Sequence, residues 1–359
     1  MLHYLNQFDY TGRVTGTTRA KLTKGDLVDI PIPVPPLAEQ HRIVARVEEL
    51  MGLLDRLEAA RAKRETTRAA ARDSVLAALR EADSPAEVDA AWTRFAQRMD
   101  DLVCDPADIA PLRQTVLQLA VRGRLVRQDP GDEPASRLLE RIVAERARLA
   151  KLGKVRLQSP LPPVAENDAE WTLREGWQAV RFGAVIELVS GQHLSPSEYS
   201  RDPGDLPYLT GPADFGQRFP TASRWTKERR AVACEGDILV TVKGAGIGKT
   251  NVLDAPEAAI SRQLMAVRPL LIDRRFCDLL LKNAASALVE QQTGIAIPGI
   301  GRDEILHLVV FIPPLAEQSR IVARVDELTA LLDRLEHRLA NSQRVQAMLA
   351  AAAVHHAVA

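Results

Sequence analysis

One stretch of this chain occurs twice. Residues 35–58 and 313–336, 278 positions apart, agree at 20 of 24 positions without a gap, the exceptions being His41/Ser319, Glu48/Asp326, Met51/Thr329 and Gly52/Ala330. The spacing is far too long for the period of a stacked solenoid. The chain must therefore fold around a duplicated unit with other material inserted between the copies. The same offset pairs Thr15-Gly16 with Thr293-Gly294 and Asp26-Leu27 with Glu304-Ile305, so the duplicated unit begins before its prolines.

Each copy opens with a proline pair. Two prolines hold the preceding backbone extended and preset φ for the first helical residues, and Glu39 or Glu317 then complements the positive end of the helix dipole. Apolar residues follow at alternating spacings of four and three: Ile43, Val47, Leu50, Leu54 and Leu57 in the first copy, Ile321, Val325, Leu328, Leu332, Leu335 and Leu339 in the second. That is an a/d seam. It predicts long helices over 37–80 and 315–350, the first reaching about 65 Å at 1.5 Å per residue. Two seams in one chain are expected to pack antiparallel, Leu50, Leu54 and Leu57 against Leu328, Leu332 and Leu335. For either helix alone the plainer reading is one apolar face on a globular core.

The rest of the chain divides by composition. With 359 residues, 46% of them hydrophobic, there is room for two or three domains with real cores, and disorder is excluded. Forty-seven basic side chains balance forty-seven acidic ones, so nucleic-acid binding would have to rest on a local patch. Cys104, Cys234 and Cys277 are widely spaced, which points to a reducing compartment and no structural zinc. No signal peptide or membrane span is legible, and a cytoplasmic location is expected. Residues 1–34 read as a partial domain, 35–82 as the first long helix, and 83–152 as a connecting helical segment. A linker is expected over 153–170, a domain of mixed strands and helix over 171–312, and the second long helix over 313–359. The fold class is α+β.

Three loops of that domain carry candidate chemistry. The run 218–230 holds Arg218, Arg224, Lys227, Arg229 and Arg230 against one acid, with Phe219 and Trp225 interleaved; such a run contacts phosphates or is a solvated loop with Trp225 folded inward. Gln192 and His193 follow a predicted strand, where a glutamine offers a bidentate adenine contact or makes a polar turn. Lys243 and Lys249 bracket three glycines in Lys-Gly-Ala-Gly-Ile-Gly-Lys-Thr, a turn that lets main chain approach a phosphate. A phosphate-binding P-loop needs a glycine five residues before Gly248, where Lys243 stands, and a helix afterwards; a nucleotide-binding enzyme and a purely structural coiled-coil adaptor remain the alternatives. No catalytic triad, acid/base pair or metal cluster is apparent.

The duplicated Pro-Pro-Leu-Ala-Glu-Gln stretch, its heptad helix, and the segment with Leu-Gln-Leu-Ala-Val-Arg-Gly at 117–123 and Asp-Glu-Pro-Ala-Ser at 132–136 together resemble the DNA-specificity subunit of type I restriction-modification enzymes. The resemblance implies a target-recognition domain that reads one half of a split site on double-stranded DNA, and long helices that act as an antiparallel spacer. It makes Gln192, His193, Arg218, Arg224, Lys227, Arg229, Arg230, Lys243 and Lys249 candidate DNA contacts. It implies methyltransferase subunits and a restriction/translocase subunit as partners, with S-adenosylmethionine, ATP and magnesium used by them and no cofactor bound by this chain. By the 278-residue offset Met1 matches Leu279, so residues 1–34 are expected to be the closing part of a first recognition domain, with Leu22, Leu27, Val28 and Ile30 uncovered. Self-association or a second specificity chain would then complete the target.

Overall fold

The proline pairs do open helices. In a computed structural model, which describes residues 8–11, 14, 22–82, 84–153, 160–165, 173–244, 246–291 and 299–358, the chain divides into two units, Met1–Ala69 and Ala70–Ala359. The pairs Thr15-Gly16 and Thr293-Gly294, much of 1–34 and most of the 153–170 linker lie outside the described residues.

In the first unit a short helix α1 (Lys24–Val28) is capped by Thr23, whose hydroxyl accepts from the Asp26 N–H while Asp26 accepts from the Thr23 N–H. Prolines 31, 33, 35 and 36 keep the next segment extended, and α2 (Leu37–Glu81) starts directly after them. The Gln40 side chain turns back to donate to the Pro35 carbonyl at 2.8 Å. Leu22, Leu27 and Val28 are exposed, whereas Ile30, expected to be uncovered, is buried.

In the second unit the last turns of α2 place Leu76 and Leu79 in a core. Ser84 caps α3 (Pro85–Gln97), with proline at its first position. After α4 (Met99–Leu102), Asp108 accepts from the Cys104 and Asp105 N–H groups at 3.0 Å and pairs with Arg72 on α2. The buried carboxylate is thus satisfied on several sides. It leads into α5 (Ile109–Val121), followed by α6 (Ala135–Lys151).

The sheet domain is closed by its first and last strands, β1 (Gln178–Arg181) and β11 (Val309–Ile312), which pair antiparallel. Between them, an antiparallel sheet runs in the order β2 (Ile186–Ser190), β10 (Leu264–Pro269), β7 (Ile238–Thr241), β8 (Thr250–Val252). A second sheet runs β3 (Tyr199–Ser200), β5 (Trp225–Thr226), β4 (Leu206–Leu209), β9 (Glu257–Ile260), β6 (Val232–Cys234), with β4 and β9 parallel. Helices α7 (Arg274–Gln291) and α8 (Arg302–Leu306) precede β11, and α9 (Leu315–Val358) ends the chain. The fold is α+β, with long helices before and after a sheet domain. No described helix is long and apolar enough to cross a membrane.

The second seam is covered. Ile321, Val325, Leu328 and Leu332 lie in one core with Leu112, Val116 and Leu119 of α5 and Phe276, Cys277 and Leu280 of α7. Arginines flank this core: Arg113 reaches Asp333 at 2.5 Å and Glu336 at 2.7 Å, and Arg275 pairs with Asp326. Within the first unit Leu50, Leu54 and Leu57 are exposed, as is Ile43. In the second unit α5, legible in the sequence only as one of several short helices, covers part of this seam.

Candidate nucleic-acid interface

Four chain segments meet at the end of the sheets where β2, β4 and β9 finish and β10 begins. The Gly191 N–H donates to the Leu264 carbonyl and the Gln192 N–H to the Ile260 carbonyl, both at 3.0 Å. The Ser261 N–H donates to the Leu209 carbonyl at 2.9 Å, and its hydroxyl donates to the Thr210 carbonyl at 2.6 Å. The Val242 N–H donates to the Gln263 carbonyl at 2.8 Å. The loops after β4 and between β7 and β8 are therefore anchored on the turn 261–263, and the loop after β2 on Ile260 and Leu264, the residues that flank it.

Buried carboxylates stiffen the surroundings. Asp214 accepts from the Thr210 N–H and hydroxyl at 2.6 and 2.8 Å and from the Ser223 hydroxyl at 3.2 Å, which fixes the loop after β4. Asp237, at the start of β7, takes a two-pronged contact from Arg268 on β10 at 2.7 and 2.8 Å. That contact raises the Arg268 pKa against the opposing effect of burial.

The sequence-predicted residues fall into two sets. Gln192 and His193 are exposed just after β2, and Gln192 lines a cleft of about 690 Å³ together with Arg230, Glu187 and Arg302. Lys243 and Lys249 are exposed on the β7–β8 turn, and neither forms a salt bridge among the described residues. Gly244, Gly246 and Gly248 take φ of 85°, 98° and 83° there, a region closed to most side chains. Thr250 then continues as strand rather than helix, so the loop lacks the helix N-terminus that a P-loop requires.

The run 218–230 is different. Arg229 pairs with Glu257, and Arg230 pairs with Glu198 and, at 3.2 Å, with Glu228. Hydrogen bonds from the Ser195 N–H and hydroxyl, then from Arg230, hold Glu198 below the usual carboxylate range. The Arg218 guanidinium lies over the Phe219 ring at 5.0 Å and that of Arg224 over the Tyr199 ring at 5.2 Å. Lys227 is exposed beside a smaller groove with Tyr199 and Trp225, the latter half-buried. The five positive charges counted along the sequence thus present less uncompensated charge than the count suggests, because Glu198, in the turn before β3, and Glu257, on β9, reach them from elsewhere in the chain. The sequence reading missed Arg262 and Gln263, both exposed on the turn that anchors the loops. Their one sequence signal is a polar Ser-Arg-Gln triplet between the apolar runs of β9 and β10.

The family profile described as type I restriction modification DNA specificity domain matches residues 1–65 and 174–342. The chain belongs to that family. It is 29% identical over 369 residues to the type I restriction enzyme EcoEI specificity subunit of Escherichia coli, covering 97% of this chain and 61% of that protein. With the EcoAI specificity subunit of the same organism it shares 29% over 347 residues, 89% of this chain and 56% of that one. The chain thus spans about three fifths of the length of these specificity subunits. A solved chain from work on complex assembly and conformational transition of the type I R-M system has the same fold, with a TM-score of 0.53 at 24% identity over 97% of this chain and 65% of that one.

Proposed function

We propose that this chain is the sequence-reading subunit of a type I restriction-modification assembly. Its sheet domain, residues 171–312, holds one part of a double-stranded DNA target. Its long helices serve as spacer and as docking surface for methyltransferase subunits and a restriction/translocase subunit, and a second specificity chain or a second copy of this one is a further partner. The chain itself is non-catalytic and binds no cofactor, S-adenosylmethionine, ATP and magnesium being used by the partner subunits. It works in the cytoplasm.

The observation that carries the reading is the convergence of loops on the turn 261–263 beside Lys243 and Lys249, two exposed cations without a carboxylate partner among the described residues. Lysines of this kind neutralise phosphates and release counterions, while amide and guanidinium side chains on neighbouring loops reach base edges. Titration of the full chain with labelled duplex DNA across a range of salt concentrations tests it. Reversing Lys243 and Lys249 to Glu is expected to weaken binding to every sequence and to reduce the log-log salt slope by about 0.9 per lost phosphate contact. Reversing Arg229 and Arg230, already paired within the fold, is expected to change the slope less. An unchanged slope in the lysine variant refutes phosphate contact at this turn.

A further inference from the structure

We infer that Arg262 and Gln263, on the turn between β9 and β10, are base-reading side chains that recognise purine edges; the inference rests on the DNA-reading function proposed above. A base reader needs a backbone held to within about half an ångström and a side-chain tip left unengaged. The turn meets the first requirement. Ser261 is bonded to Leu209 and Thr210, the Gln263 N–H donates to the Ser261 hydroxyl at 3.2 Å, and the Gln263 carbonyl accepts from Val242. Ser261 and Gln263, on either side of Arg262, are thereby tied to the ends of β4 and β7, and their neighbours Ile260 and Leu264 to the loop after β2.

Two glycines make room for this arrangement. A Cβ on Gly191 would stand 2.0 Å from the Ser261 carbonyl oxygen, so the β2 loop reaches the turn only without a side chain there. A Cβ on Gly211 would stand 2.4 Å from the Gln263 Oε1. The Gly211 backbone, at φ 166°, is extended and open to any residue; what its missing side chain supplies is space for the Gln263 amide.

The second requirement separates these residues from the arginines of the run 218–230. Arg229 and Arg230 spend their guanidinium forks on glutamates, and Arg218 and Arg224 lie over aromatic rings. Arg262 and Gln263 are exposed, with Lys243 and Lys249 on the adjoining loop to hold phosphates. Arginine offers paired donors that match guanine O6 and N7, and glutamine offers the donor and acceptor that match adenine N6 and N7.

The experiment is selection of a random-sequence duplex library by repeated binding to the full chain, followed by sequencing, for wild type and for Arg262→Ala, Gln263→Ala and Gly211→Ala. The wild-type motif is expected to contain a guanine whose selection Arg262→Ala abolishes and an adenine whose selection Gln263→Ala abolishes. Discrimination at each affected position should fall about tenfold or more. Gly211→Ala, which leaves Gln263 in place but displaces its amide, is expected to reproduce the loss at the adenine. Thermal unfolding of the two alanine variants at exposed positions is expected to match wild type. A wild-type motif retained by the variants overturns the inference, whereas a wild-type chain that enriches no motif overturns the DNA-reading function itself.

Discussion

Leu50 and Leu328 hold the same place in two copies of nearly one sequence, yet the first is 44% exposed and the second 4%. Leu54 and Leu332 differ in the same way, at 51% and 4%, as do Ile43 and Ile321, at 47% and 0%. Polar positions follow suit: Glu39 is exposed, while Glu317 is buried and accepts a hydrogen bond from the Trp177 indole at 3.0 Å. Gln40 and Gln318 each donate to the first proline of the pair, but only Gln318 also accepts, at 2.8 Å, from the Asp273 N–H that precedes α7. Two helices with one pattern can thus differ entirely in burial. A heptad pattern states which face a helix offers; the neighbours decide whether that face is covered.

The comparison breaks most readily at the leucines. Leu332→Ala is expected to cost about 2–5 kcal/mol in urea unfolding, because it empties a filled site between α9 and α5, while Leu54→Ala should cost under about 0.5 kcal/mol. Equal costs would mean that the first face is covered in solution as well. A smaller effect is expected at Glu317, where burial pushes the carboxyl above its ordinary value of 4.5, opposed by the Trp177 hydrogen bond and the charge of Arg174. The folded state therefore holds its proton more tightly than the unfolded chain. Stability from this group is fullest below about pH 4.5 and declines as pH rises through the raised value. Glu317→Gln should flatten that part of the pH profile. Smallest of all, Asp333→Ala should cost about 0.2–1 kcal/mol through loss of the partly exposed pair with Arg113, while Asp55→Ala, at the equivalent place in the first copy, should cost nothing measurable.

What could be read from the chain follows the range of the interactions involved. The long helices were legible because a proline pair, a first-turn glutamate and a four-three leucine spacing are local signals, and α2 and α9 begin at the residue after each pair. Strands β2, β7 and β10 overlap apolar runs at 184–189, 237–242 and 264–267 that glycine and proline turns cut from the rest of the sequence. The cover over the second seam was not legible, because it depends on α5, some 200 residues earlier in the chain, where Arg113 finds Asp333 at a separation of 220. The site was half legible for the same reason. Lys243 and Lys249 announce themselves through the glycines between them, whereas the neutralisation of Arg230 by Glu198 and the hub at 261–263 arise from strand pairings that no local pattern encodes.

The bonds at the first turn of α9 set an angle as well as a contact. Trp177 holds Glu317 and the Asp273 N–H holds Gln318, and with the packing of Ile321, Val325, Leu328 and Leu332 against α5 and α7 these bonds set the direction of a 44-residue rod. At 1.5 Å per residue that rod is about 66 Å long, and by simple geometry a swing of about five degrees at its base moves the far end by about 6 Å. Such a displacement approaches the rise of two base pairs, at about 3.4 Å each. A lever of this length makes the seat of α9 a determinant of distance: whatever docks near its tip is positioned relative to the reading end of the sheets by the stiffness of its first-turn bonds and of its packing on α5 and α7.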